Sequence, residues 1–263
     1  MITNISETIP VIFQIAVLAV LLFLSVRLIR ESGRSLTAVF LTFLFAMWLL
    51  TDLYWVIYDF MRPDRRMPFA VNEIGEASLF LLMPAILGTV VHYRMLSVSK
   101  QAMGAVLFIA CNVALWIAWS GEWVQDILIG AVFTYFCCTT ACSLKALRLM
   151  TKKEWIGLGI GCTLLILWQS GTFFTEPPLK SALDTGSYLL LTAGVVYWIY
   201  KLFVARKQQV SSKAILCLVL ALTCWTLTAK YMSSGIWYSA FLIVETLAQF
   251  LMYLSVRKVV ADA

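Results

Sequence analysis

Acidic side chains set inside long apolar runs are the residues here best placed to do chemistry. Asp52 and Asp59 stand seven residues apart in one apolar segment, so a helix puts them on one face, with Trp48 one turn deeper than Asp52. Glu73 and Glu76, three apart, share a face at the start of the next segment. The connection between them supplies Arg62, Arg65 and Arg66, with Asp64 among them, and is stiffened by Pro63 and Pro68. A guanidinium fork bonds a carboxylate bidentately, so a folded-back loop whose arginines reach carboxylates on both flanking helices is expected. The plainer reading is a clasp in which these charges satisfy one another and lock the hairpin. The functional reading is a charged vestibule leading to a ligand site. A metal site of Asp52, Asp59, Glu73 and Glu76 is disfavoured, because the arginines beside it compete with a cation.

Two more charges extend this set. Glu245 falls near the middle of the last apolar run, with Gln249 one turn on and Thr246 beside it. An acid at that depth is expected to face the interior of a bundle and to serve a function. Lys230, near the end of the preceding run, has three options: pairing with Asp52, pairing with Glu245, or snorkelling to the surface, and snorkelling is the expectation. The other familiar chemistries lack their residues. His92 is the single histidine, and the seven cysteines form neither a CxxC nor a Cys/His ligand set. No catalytic residue, metal or cofactor is expected, and an enzyme is the less favoured class.

The elements that must position these residues follow from composition. Hydrophobic residues make up 62% of the chain, charged residues 13%, and the mean hydropathy is +0.89. A soluble domain carries about 25% charged residues. The apolar runs are long enough for the roughly 20 residues that cross a bilayer. The net charge of +6 sits on no soluble basic module, which argues against nucleic acid. The first apolar run has no Lys or Arg before it and basic residues after it, so it reads as a spanning helix and not a cleaved signal.

Apolar runs and charged breaks predict an all-α, polytopic membrane bundle of about nine helices. These fall at 9–29, 36–60, 72–94, 101–120, 124–147, 154–174, 183–204, 213–232 and 236–256. The chain is expected to be one integral-membrane domain, a lead helix plus four antiparallel hairpins (36–94, 101–147, 154–204, 213–256). Each hairpin carries a Trp before its turn (Trp48, Trp116, Trp168, Trp225) and basic residues at its return end. The small-residue runs CCTTACS (137–143) and GLGIG (157–161) are expected to allow close helix packing.

One set of loops holds Arg27, Arg30, Arg34, Arg94, Lys100, Lys145, Arg148, Lys152, Lys153, Lys201, Arg206, Lys207, Lys213, Arg257 and Lys258. The other holds only Arg62, Arg65, Arg66, Lys180 and Lys230. The positive-inside rule then predicts an outside N-terminus and a cytoplasmic C-terminus in a cell membrane, on a bacterial pattern. The favoured function is transporter-like: a small molecule bound or translocated through the outward charged vestibule. One alternative is a sensor or accessory subunit whose basic inner loops meet a cytoplasmic protein. The other is an intramembrane lipid-modifying enzyme.

Overall fold

The protein was studied as a computed structural model, which describes residues 5–61, 72–92, 94, 100, 103, 106–107, 110 and 123–262. Among these residues there are eight long helices and no strand: α1 (Ile5–Glu31), α2 (Leu36–Met61), α3 (Asn72–Val90), α4 (Trp123–Ala146), α5 (Lys152–Phe174), α6 (Leu179–Lys207), α7 (Ser212–Tyr231) and α8 (Gly235–Ala261). All but α3 contain a stretch long and apolar enough to cross a membrane, and the apolar part of α3, Ile74–Val90, is shorter. The chain is a multi-pass helical membrane protein. The helix expected at 101–120 lies largely outside the described residues.

Local signals explain where the helices break. Between α1 and α2 the backbone turns through two left-handed residues, Gly33 at φ 62° and Arg34 at φ 71°. A capping box starts α5: the Glu154 amide donates to Thr151 Oγ1 at 3.3 Å, and the Thr151 amide donates to Glu154 Oε2 at 2.6 Å. Ser211 caps α7 by accepting from the Ala214 amide. Helix α3 runs through Pro84 without a break.

Six helices pack in a closed cycle, α1 on α2, α2 on α3, α3 on α4, α4 on α7, α7 on α8 and α8 back on α1. Contacts of α2 with α8 and of α3 with α7 fill its middle. Helix α6 lies against α7 from outside, and α5 against α6. Burial follows this plan: 78% of the apolar window of α7 is inside the protein, against 11% for α5. Core side chains such as Phe45, Trp48, Phe80, Met83 and Phe136 are almost wholly buried. Phe80 meets Phe133 edge-on with ring centroids 5.1 Å apart, which ties α3 to α4.

Among the described glycines, neighbouring helices approach most closely at two. A Cβ on Gly75 would lie 2.0 Å from Thr51 Oγ1, and one on Gly194 would lie 2.1 Å from the Trp225 ring. The CCTTACS run packs inward, with Thr139, Thr140 and Ser143 buried and Cys137 Sγ 3.4 Å from Cys224 Sγ on α7. The GLGIG run packs less closely than expected: a Cβ on Gly157 or Gly159 would meet nothing within 4 Å, while one on Gly161 would reach Leu190 of α6 at 4.0 Å. Small residues permit close packing but do not require it, and at Gly161 α5 meets α6 only in ordinary van der Waals contact.

Candidate functional site

At the end of the bundle where α1, α3 and α8 begin and α2 and α7 finish, five helices surround a cavity of ≈ 240 Å³. Helix α1 contributes Val11 and Gln14, α2 contributes Thr51, Asp52 and Trp55, and α3 contributes Glu76. Lys230 and Tyr231 come from α7, Ser233 from the link, and Tyr238 from α8.

The contact between Gly75 and Thr51 assembles the acidic side of this cavity. Thr51 donates its hydroxyl back to the Met47 carbonyl at 2.8 Å, so its own hydrogen bond is satisfied within α2. With no side chain on Gly75, α3 can lie directly on Thr51. The next residue on each helix, Asp52 and Glu76, then lines the same space.

The cation comes from α7. Lys230 Nζ stands 3.3 Å from both carboxylate oxygens of Glu245 and donates its hydrogen bond to Oε1. Glu245 is fully buried and the Lys230 side chain is 11% exposed. The expectation of snorkelling therefore gives way to pairing: Glu245 lies within reach, so the ammonium stays inside the protein. Its charge also sits 5.2 Å from the centroid of the Tyr231 ring.

Three carboxyl groups, Asp52, Glu76 and Glu245, thus share the neighbourhood of one ammonium. Asp52 is 9% exposed, and its Oδ2 has no hydrogen-bond partner among the described residues. Gln14 is fully buried, and neither its amide nitrogen nor its amide oxygen has a partner among the described residues. A buried polar group left unpaired costs roughly 1–3 kcal/mol. One turn beyond Glu245, Gln249 is also fully buried, its amide unpartnered among the described residues, and Tyr253 follows a turn later. Tyr238, Glu245, Gln249 and Tyr253 are spaced by seven, four and four, which places them along one face of α8.

Of the residues singled out in the sequence, Asp52 and Glu76 line the cavity and Glu245 anchors its lysine. Trp48 does not line it; the ring is 1% exposed within the apolar core. The side chains of Asp59 and Glu73 lie outside the described residues, as do Arg62, Arg65 and Arg66, and the expected arginine clasp falls there. Sequence reasoning missed Gln14, Trp55 and Tyr238. For Gln14 a signal existed: it is the one polar side chain in the run VIFQIAVLAVLLFL.

A second polar contact lies at the opposite, basic end. Lys201 on α6 donates to Glu154 on α5 at 2.9 Å, beside the capping box. Comparison with known proteins returned no matching family model, no matching curated protein and no matching solved structure.

Proposed function

We propose that this chain binds a small polar molecule in the cavity between α1, α2, α3, α7 and α8 and carries it across the membrane. One observation carries this reading: Gln14 and Asp52 line a cavity while the Gln14 amide and Asp52 Oδ2 lack partners among the described residues. Evolution rarely leaves such groups unpaired without an ion, water or ligand to complete them. The polar line from Tyr238 through Glu245 and Gln249 to Tyr253 supports passage beyond the cavity, since buried polar groups in spans mark solute or proton pathways. The bias of basic residues toward one end supports an outside N-terminus and a cytoplasmic C-terminus. The apolar run at 101–120 supports a ninth span. On this orientation the cavity belongs to the outer half of a cell membrane.

A second reading is a ligand-sensing subunit that signals to a cytoplasmic partner. It is favoured by Trp48, which packs in the apolar core one turn below Asp52 and closes α2 to solute at that level. Native mass spectrometry of protein released from its own membrane, beside Gln14→Met and Asp52→Asn, tests ligand binding. A molecule held by wild type and lost from both variants is expected, and equal occupancy in all three would overturn the assignment. Flux of the identified molecule into proteoliposomes then separates carriage from sensing.

A further inference from the structure

At the basic end of the bundle a second space of ≈ 230 Å³ opens between α5, α6 and α7. Helix α5 contributes Gly157 and Gly161, α6 contributes Leu190 and Trp198, and α7 contributes Trp225, with Glu154 at one end. Its lining shares no residue with the first cavity. The groove is apolar, yet it holds one unfinished polar contact. Trp198 is 3% exposed, and its indole N–H, which can only donate, has no hydrogen-bond partner among the described residues. We infer that this groove binds one acyl chain of an anionic phospholipid, whose ester carbonyl accepts from Trp198 Nε1.

The order of groups along α5 and α6 matches the order of groups in a lipid. Both helices are long and apolar enough to span, and Gly157 and Ala193 are exposed at the groove, so lipid is the medium beside it. The Lys201–Glu154 contact sets the register of the two helices. Beyond it, toward the helix ends, lie Lys152 and Lys153 on α5 and Arg206 and Lys207 on α6, all exposed. Basic residues flanking a span attract anionic headgroups. Trp198 stands three residues inside Lys201, about 4.5 Å along the helix axis. An ester carbonyl lies in the same place in a phospholipid, between the phosphate and the hydrocarbon. Deeper still, a Cβ on Gly157 would meet nothing within 4 Å, which leaves room for methylene groups. A helix from a second copy fits this groove less well. Its backbone carbonyls are already bonded to its own amides, so it brings Trp198 no backbone acceptor.

The test titrates delipidated full-length protein in detergent with dioleoyl phosphatidylglycerol and counts adducts by native mass spectrometry. One saturable adduct is expected. Dioleoyl phosphatidylcholine, which has no net charge, should bind at least about fivefold more weakly. So should the diether analogue of phosphatidylglycerol, which has no ester carbonyl. Trp198→Phe should weaken the ester lipid by about fivefold and leave the diether lipid unchanged. Gly157→Leu, whose added side chain enters the groove, should weaken both by at least about tenfold. The comparison of lipids needs wild type alone, so it decides even where a variant fails to fold. Equal binding of all three lipids means adventitious lipid contact only and overturns the inference. An adduct unchanged in both folded variants overturns it too. A wild-type dimer without a saturable lipid adduct, made monomeric by Gly157→Leu, assigns the groove to a second copy and overturns it as well.

Discussion

Among the described residues two lysine–glutamate pairs join neighbouring helices, and they are built to opposite standards. Lys201–Glu154 is short, at 2.9 Å, and about a fifth to a quarter exposed, with the carboxylate also closing a capping box. Every oxygen of Glu154 has a donor: Lys201 on Oε1, the Thr151 amide and hydroxyl on Oε2. Lys230–Glu245 is longer, at 3.3 Å, nearly dry, and surrounded by Asp52, Glu76 and an unpartnered Gln14. The first arrangement is complete and holds α5 to α6. The second is incomplete in its polar contacts, which a structural clasp would not need to be. On the proposed function, a bound ligand would complete those contacts.

The largest effect should come from removing the cation of the incomplete pair. Lys230→Met leaves Glu245 uncompensated beside two other acids, and breaking a buried pair from one side costs about 3–5 kcal/mol. Unfolding in detergent should show that loss, and Lys230→Met with Glu245→Leu should recover most of it, because an apolar replacement of a buried pair is often neutral. A single variant as stable as wild type would mean that the carboxyl group is held neutral and the pair carries no net charge interaction.

Next in size is the helix contact that assembles the acids. Gly75→Ala places a Cβ 2.0 Å from Thr51 Oγ1, so α2 and α3 must separate or Thr51 must turn. Overpacking of this kind costs about 1–3 kcal/mol. Adding Thr51→Ala should restore stability and binding together; an undisturbed Gly75→Ala would show that the Thr51 rotamer gives way freely. The complete pair should be milder. Glu154→Ala removes a cap and a partly exposed ion pair, about 1–2 kcal/mol in thermal or chemical unfolding, with ligand binding unchanged. Lost binding in that variant would break the division of roles between the two ends.

The sequence revealed the helices far better than their arrangement, and the reason is physical. Apolar runs must match the bilayer thickness, so helix limits followed hydropathy to within a few residues: 213–232 became Ser212–Tyr231 and 36–60 became Leu36–Met61. Which face of each helix turns inward was not legible, because lipid and protein interior are equally apolar and no amphipathic stripe separates them. The closure of α8 onto α1, which brings Gln14 to the same cavity as Lys230, leaves no trace in periodicity. Charged residues were the exception. Asp52, Glu76 and Glu245 stood out because a charge in a span needs a reason. Lys230 was misjudged because snorkelling and pairing look alike until the distance to Glu245 is known.

The smallest expected effect has the opposite sign and sharpens the comparison most. Gln14→Met removes a buried donor and a buried acceptor that have no partners among the described residues, and keeps a side chain of similar length. Replacing unpaired buried polar groups with apolar ones of the same shape is neutral or stabilising, here by up to about 1–2 kcal/mol. Binding should fall in the same variant. A residue that lowers stability and raises affinity is retained for its ligand, since natural proteins accept strain where function requires it. A Gln14→Met protein that unfolds more easily and binds as before would make the amide a structural element. The polar end would then be a clasp, like the Lys201–Glu154 end.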